Sequence, residues 1–214
     1  ALTSYQIAGL TTNISFLADV ARHPAFVAAD LDTGFIERHA ADLLPGPQPI
    51  SDRVLALACL GVLLHRKAEA GAAAARSPDP WSPWHAVDGW RLNDEGRSDL
   101  RLAAGDQEYA VAVRYSGTGW RLTLPGGVLV VQGELGDDGN LDADLDGVRL
   151  AAAVSLHGNE ITVILDGVAQ RLQLPAPLAD ADVAAASAGA VTAPMPGKIV
   201  QVLAAAGAEV AKGK

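Results

Sequence analysis

Apolar and polar residues alternate with a period of two from about residue 90 to residue 174. This period places the apolar residues of each run on one face of a β-strand. The clearest runs are residues 109–115, 141–145, 161–165 and 172–174. Glycine-containing pairs such as Asp146-Gly147 separate the runs, as in the tight turns of β-hairpins. The pattern predicts about eight short strands in a consecutively connected antiparallel sheet, which tends to close into a barrel.

A helical pattern precedes these strands. Ser51 and Asp52 are suited to cap a helix, which we predict to run to about Ala70. The centre of this helix, VLALACLGVLL at residues 54–64, is apolar on every face. Such a helix in a soluble protein is surrounded by other structure. We therefore expect strands to bury Val54, Leu57, Leu60 and Leu64.

Two further segments flank this helix. Residues 1–45 are predicted to form short helices, the first capped by Thr12 or Asn13. The segment PGPQP at residues 45–49 then predicts a stiff linker. After the long helix, three prolines define a loop that carries Trp81 and Trp84 at the surface. Two interpretations of these tryptophans stay open, because Trp is enriched both in cores and at interfaces: contact with a partner, or packing against the barrel.

Composition narrows the classes of partner and location. The formal net charge of −9 argues against a nucleic-acid partner, which requires a basic face. The longest apolar run, residues 54–64, is about half of the roughly 20 residues needed to span a bilayer, so no membrane span is predicted. The single cysteine, Cys59, suits a reducing compartment and lies inside that run. We interpret Cys59 as a buried apolar residue and predict a cytoplasmic location.

No motif predicts catalysis or metal binding within these residues. Asp142, Asp144 and Asp146 match the opening of a calcium loop, but position twelve of that loop is Ala153 where a bidentate Glu is required. Alternating Asp residues on the wet face of a strand explain the motif better. The five histidines lack metal-ligand spacing, and one cysteine cannot complete a zinc site. We therefore assign no catalytic and no metal residue.

Three stretches resemble parts of a known family. The opening GLTTNISFLADVARHPAFVAADLDTGFIERH, residues 9–39, resembles the C-terminal end of a biotin carboxylase domain. WSPWHAVDGWRLN, residues 81–93, is similar to the stretch that opens the barrel in methylcrotonyl-CoA carboxylase α subunits. The closing APMPGKIVQVLAAAGAEVAKGK, residues 193–214, resembles the start of the biotinyl/lipoyl carrier fold. In this order, the three stretches resemble the biotin-containing α subunit of acyl-CoA carboxylases.

The resemblance implies a division of the chain. Residues 1–45 would end a biotin carboxylase domain, and residues 50–175 would form a helix-plus-barrel docking domain. Residues 176–192 would be a linker, and residues 193–214 would begin a biotinyl carrier domain. In the carrier family the modified lysine lies in a later Met-Lys-Met hairpin, a position that Lys198, Lys212 and Lys214 do not occupy. The biotin lysine is therefore expected beyond Lys214, and no residue here is expected to bind a cofactor.

The implied fold is mainly β (α+β): an eight-stranded antiparallel barrel around a central helix, with a helical fragment before it and partial carrier strands after it. Eight strands normally leave an interior that their own side chains fill. A helix with its side chains is about 10–12 Å across. Ala56, Ala58, Cys59 and Gly61 keep this helix slim. We expect a strongly sheared or incompletely closed wall to provide the remaining space.

The implied activity belongs to the full enzyme, which uses biotin, ATP and Mg. Biotin is carboxylated, and the carboxyl group passes to methylcrotonyl-CoA or a related acyl-CoA on a partner carboxyltransferase β subunit of a hetero-oligomer. This segment would be non-catalytic and would dock the subunits, with Trp81 and Trp84 as interface candidates. For the location, we expect a bacterial cytoplasm rather than a mitochondrial matrix. An alternative is a scaffold or carrier module of another acyl-transfer complex, such as a lipoyl-dependent acyltransferase.

Overall fold

Eight antiparallel strands close into a barrel in simple chain order, each strand pairing with its neighbours in sequence. The computed structural model describes residues 5–44, 46, 49–117 and 119–175. The strands are β1 (Arg97–Ala104), β2 (Gln107–Ser116), β3 (Gly119–Leu124), β4 (Gly127–Leu135), β5 (Asn140–Leu145), β6 (Val148–His157), β7 (Glu160–Leu165) and β8 (Val168–Gln173). The predicted mainly β barrel is confirmed. The predicted start near residue 90 is wrong, because residues 90–96 form a loop before β1.

The chain divides into two compact units, Ala1–Pro175 and Ala176–Lys214. All the described residues lie in the first unit. The predicted linker at residues 176–192 and the predicted carrier strands at residues 193–214 lie outside the described residues. The division into functional domains stays a prediction.

Strong shear is visible in the strand register. The long strands β4 and β6 each use one half to pair with the preceding strand and the other half to pair with the next. For example, Val131 pairs with Trp120 of β3 and with Leu145 of β5. The third long strand, β2, pairs with β1 over residues 107–114 and with β3 over residues 112–116. This stagger widens the barrel beyond what eight unsheared strands would enclose, as the sequence led us to expect.

The barrel closes by one residue pair, Ala103 of β1 with Gln173 of β8. Successive residues of a strand direct their backbone donors to opposite sides. The N–H of Leu174 donates to the carbonyl of Asn159, 2.7 Å away on the β7 side. The next donor facing β1 would belong to Pro175, which has no N–H. The pairing of β8 with β1 therefore cannot continue beyond the Ala103–Gln173 pair.

The barrel encloses α5 (Asp52–Arg76), the longest helix among the described residues. The ten residues 54–63 of this helix are buried, which confirms the prediction of a surrounded helix; Leu64 is half-buried against the same core. The helix passes the predicted end at Ala70, because the alanine-rich residues after Gly71 favour helix. It stops at Ser77, which precedes Pro78. No helix in the described part of the chain is long and apolar enough to cross a membrane.

The N-terminus of α5 is fixed by three hydrogen bonds. The Ser51 hydroxyl accepts from the N–H of Val54 at 3.4 Å, which confirms the predicted cap. Asp52 accepts instead from the backbone N–H of Gly126, 2.8 Å away in the β3–β4 turn. The N–H of Ile50 donates to the Tyr109 hydroxyl of β2 at 3.3 Å. The bonds of Asp52 and Ile50 reach two parts of the wall and set the depth of the helix in the barrel.

Among the described residues before α5 there are four short α-helices: α1 (Ile14–Arg22), α2 (Pro24–Val27), α3 (Phe35–Arg38) and α4 (Ala40–Leu43). Asn13 is the N-cap residue of α1, although its side chain makes no capping hydrogen bond. Residues 5–15 line a cleft together with the outer face of β7 and β8. This contact covers Ile164, so β7 is buried on both faces and its predicted alternation is lost.

The backbone of α5 lies very close to the wall at Gly61. A Cβ atom at this position would lie 2.6 Å from Val154 Cγ1 and 3.2 Å from Val154 Cβ. Valine is branched at Cβ and cannot easily rotate away. Gly61 therefore allows α5 to lie directly against β6.

We predict that Gly61→Ala destabilises the protein by about 1–2 kcal/mol, because overpacking outweighs the roughly 1 kcal/mol that alanine gains in helix propensity. The matched control is Gly71→Ala in the same helix, where an added Cβ meets nothing within 4 Å. This control should stabilise by about 0.5–1 kcal/mol. Urea unfolding measures both changes. Combining Gly61→Ala with Val154→Ala should give a favourable coupling energy. Equal stabilisation by both alanines would contradict close packing at Gly61.

Candidate functional site

The loop between α5 and β1 carries the largest exposed apolar side chains of the described residues. Trp81 is 91% exposed and Trp84, in a short 3₁₀ helix (Pro83–His85), is 94% exposed. Trp90 and Leu92 follow at 75% and 76% exposure. The described part of the chain therefore leaves these side chains uncovered, and Trp81 and Trp84 do not pack against the barrel. Their role as a partner contact stays a prediction.

A pinched turn presents Trp90 and Leu92. Gly89 and Gly96 approach so closely that a Cβ on Gly96 would clash with the backbone of Gly89. Between them, Arg91 and Asp94 form an isolated β-bridge. The turn residue Asn93 has a positive φ of 59°, a conformation that Asn adopts more readily than most residues. We call residues 89–96 the pinched turn.

The pinched turn is tied to the barrel by polar contacts. The N–H of Tyr115 in β2 donates to the Gly96 carbonyl at 2.9 Å. Arg97 pairs with Asp94 at 3.0 Å, and Arg114 pairs with Glu95 at 3.2 Å. These exposed ion pairs contribute little to stability individually. Together with the backbone bond they fix the orientation of the turn.

A cleft of about 560 Å³ lies between the pinched turn, the C-terminal half of α5 and the ends of β2 and β3. Tyr115 and Trp120, whose rings meet edge to face at 6.5 Å, form part of its wall. Trp120 is only 7% exposed, and its indole Nε1 has no acceptor among the described residues. An unpaired buried donor costs about 1–3 kcal/mol. We call this space the Trp120 cleft.

The structure confirms that Cys59 is a buried apolar residue and not a nucleophile. Its side chain is fully buried in α5. Burial raises the pKa of the Cys59 thiol from 9.0 to about 12, while the charge of Arg66 acts in the opposite direction. The thiolate, the reactive form, is therefore scarce at neutral pH.

The aspartates that opened the apparent calcium motif lie on β5 and in the turn after it. Asp144 accepts a hydrogen bond from the N–H of Gly147 at 2.7 Å. Asp146, at the turn, accepts from the N–H of Val130 at 3.1 Å. The Asp144 carboxylate thus stabilises the β5–β6 turn, and the Asp146 carboxylate ties this turn to β4. The position of these residues on a strand and its turn agrees with the strand interpretation.

The structure also brings together His23, His39 and Asp42, which sequence spacing did not connect. The two imidazole rings lie 4.2 Å apart, and His23 Nε2 lies 3.8 Å from an Asp42 carboxylate oxygen. His23 Nδ1 accepts the N–H of Ala25 at 3.3 Å. A metal-bound imidazole instead donates from its second nitrogen. This geometry fits an Nε2–H directed at Asp42 better than a metal site.

Sequence reasoning found Trp81 and Trp84 but missed the Trp120 cleft. The pinched turn depends on Gly89 and Gly96, which are seven residues apart and give no short-range motif. Trp120 was hidden in a strand pattern, where an inward aromatic residue predicts core. The available signal was the Gly-Trp…Asn…Gly order of residues 89–96, which is typical of a turn rather than of a strand.

A helix enclosed by a sheared eight-stranded barrel, with an exposed aromatic loop at one end, defines the class of fold to which this protein belongs. The family model of the methylcrotonyl-CoA carboxylase α-subunit BT domain matches residues 51–177, more than half of the chain. The chain therefore belongs to this family, a part of a biotin-dependent carboxylase subunit. The family match favours the carboxylase over the scaffold or lipoyl-dependent module that the sequence left open.

Curated relatives agree with the family match. The chain is 31% identical to the mitochondrial methylcrotonoyl-CoA carboxylase subunit alpha of Dictyostelium discoideum, over 100% of the chain and 32% of the relative. It is 30% identical to the Mus musculus protein of the same name, over 99% of the chain and 30% of the relative. The chain thus spans about a third of the length of these relatives. Their names place those proteins in mitochondria, which gives no support to the bacterial preference.

We predict that Cys59 makes stability fall between pH 9 and pH 12. The folded protein keeps the thiol proton in this window, whereas the unfolded chain releases it, so the contribution is complete below pH 9 and lost as pH rises toward 12. The free energy of unfolding should fall by about 1.4 kcal/mol per pH unit more steeply than in Cys59→Ala. Urea unfolding at a series of pH values measures both slopes. Identical slopes would mean that the thiol is accessible.

Proposed function

We propose that this chain is the linking and carboxyltransferase-docking region of a biotin-dependent acyl-CoA carboxylase α subunit. The observation that carries this proposal is the exposure of Trp81 and Trp84 above 90% on the loop that leaves the barrel. Membership of the BT-domain family supports the same assignment. The partner is a carboxyltransferase β subunit, and the full assembly is a hetero-oligomer.

Docking would remove the large apolar area of the two tryptophan side chains from water. A tryptophan side chain buries about 150–250 Å² when it is covered. At about 25 cal/mol per Å², each ring would contribute on the order of 4–6 kcal/mol before the costs of association. Aromatic residues in such positions form the hot spots of protein interfaces. Two exposed tryptophans can therefore account for much of a stable docking contact.

The remaining parts of the chain take the roles that their resemblance implies. Residues 1–45 end a biotin carboxylase domain, residues 50–175 dock, residues 176–192 link, and residues 193–214 begin a biotinyl carrier domain. The full enzyme uses ATP and Mg to carboxylate biotin, then transfers the carboxyl group to methylcrotonyl-CoA or a related acyl-CoA. The docking region sets the distance between the active sites, and rate depends on such positioning. A cytoplasmic, reducing location agrees with the single buried thiol.

We predict that Trp81→Ala with Trp84→Ala weakens binding to the carboxyltransferase β subunit by at least 100-fold, because two hot-spot rings are lost. The melting temperature should change by no more than a degree or two, since neither ring is buried in the free chain. Calorimetric titration and thermal unfolding measure the two effects. The control is Val128→Ala with Val168→Ala, two half-exposed residues on the barrel wall, which should leave affinity unchanged. Unchanged affinity in the tryptophan variant would contradict the proposed docking role.

We also predict that the isolated chain neither hydrolyses ATP nor accepts biotin from a biotin ligase. The groups for both reactions are expected outside these 214 residues. A coupled ATPase assay and an intact-mass measurement after ligase treatment are the tests. A mass increase of one biotin would contradict the placement of the carrier lysine beyond Lys214.

A further inference from the structure

We propose that the Trp120 cleft binds an acidic peptide segment of the docking partner. This inference rests on the proposed docking function and adds the chemistry of one recognition site to it. The cleft opens on the same loop as Trp84, since His85 at the end of the 3₁₀ helix lies in its wall. A segment that covers the exposed tryptophans would thus have the cleft within reach.

The first observation is the unpaired donor. Trp120 Nε1 is the one buried side-chain nitrogen or oxygen among the described residues that lacks a hydrogen-bond partner. The Trp120 ring belongs to the wall of the cleft and lies edge to face beside the Tyr115 ring. An added Cβ on Gly89 would lie 2.5 Å from the Tyr115 ring, so the turn rests directly on that ring. A small displacement of this turn would let an acceptor reach the indole N–H.

The second observation is the balance of charge in the cleft. Two of its acidic residues are already neutralised: Asp94 pairs with Arg97, and Glu95 pairs with Arg114. A third, Asp88, accepts the N–H of Trp90 at 3.0 Å within the loop.

Its two basic residues, Lys67 of α5 and Arg91 of the pinched turn, form no ion pair with any described residue. Lys67 and Arg91 together outweigh Asp88, the one carboxylate of the cleft without a cationic partner among the described residues. The charge left for a ligand is therefore positive, in a chain whose net charge is −9.

These two observations select the same ligand group. A carboxylate accepts hydrogen bonds and would supply the negative partner that Lys67 and Arg91 lack. A charged acceptor also makes a stronger hydrogen bond to the indole N–H than a neutral one. The aromatic rings of Trp90 and Tyr115 provide apolar surface beside it. The ligand that fits is a peptide with Asp or Glu next to an apolar side chain.

A peptide titration tests the chemistry of the cleft directly. The full chain is labelled with ¹⁵N, and the Trp120 indole signal is assigned by its loss in Trp120→Phe. Twelve-residue peptides that tile the carboxyltransferase β-subunit sequence are then added one at a time. We expect at least one acidic peptide to shift the Trp120 Nε1–H signal, and its Asn/Gln counterpart to bind at least tenfold more weakly. The proposal is overturned if no acidic peptide moves this signal.

Charge variants distinguish binding in the cleft from a general attraction between an acidic peptide and any basic residue of the surface. Lys67→Gln with Arg91→Gln should weaken the bound acidic peptide at least tenfold and reduce the salt dependence of its affinity. The matched control, Arg149→Gln with Arg171→Gln, removes the same two charges from exposed positions on β6 and β8. This control should retain affinity within about twofold. Equal losses in both variants would overturn a specific site.

Binding of the intact β subunit distinguishes this proposal from the docking function. If the tryptophan variant loses the β subunit and the Lys67/Arg91 variant binds it as tightly as wild type, the cleft proposal fails and docking stands. If the wild-type chain itself does not bind the β subunit, the docking function fails. The cleft proposal is then decided by whether an acidic peptide shifts the Trp120 indole signal. Loss of binding in both variants supports both proposals.

Discussion

A helix can occupy the interior of an eight-stranded barrel only if its backbone lies almost against the wall, and Gly61 provides that approach to Val154. The rest of the fold follows from this constraint. The wall must be wide, so the long strands are staggered and the last strand closes on the first by the Ala103–Gln173 pair alone. The helix must also be held at one depth, which the hydrogen bonds of Ile50 to Tyr109 and of Asp52 to Gly126 achieve. Small residues inside and shear outside are thus two parts of one solution.

The same constraint explains why the exposed aromatic surface lies outside the barrel. The interior is filled by α5, so the connection from Arg76 to Arg97 cannot place its large side chains there. It crosses the outside of one end instead, where polar contacts hold the pinched turn and leave Trp81 and Trp84 uncovered. The aromatic rings that would form a core in a simpler barrel stay exposed on this loop. The surface that we propose for docking is therefore a consequence of how the core is filled.

The sequence predicted what local periodicity determines. Alternation along β2 and β5 gave the strands and their inward faces, and the apolar centre of α5 gave its burial. Three features were not predicted, because they depend on contacts between residues that are distant in sequence. Residues 90–93 alternate like a strand, but the Gly89–Gly96 contact bends this segment into a turn. Ile164 is covered by the segment at residues 5–15. His23 meets Asp42 only after several short helices turn back. The Trp120 cleft belongs with these, since loop, helix and two strands must come together to form it.

The single closing pair also implies an order of assembly. Every other strand pairing joins neighbours in sequence, so seven hairpins can form locally at low entropic cost. The Ala103–Gln173 pair instead joins residues 70 positions apart, and it encloses a helix that has no route in once the wall is complete. The sheet therefore has to wrap around α5 before the pairing of β1 with β8 closes the barrel. Opening at this point should be the first step by which the native barrel comes apart, ahead of any loss of its hairpins.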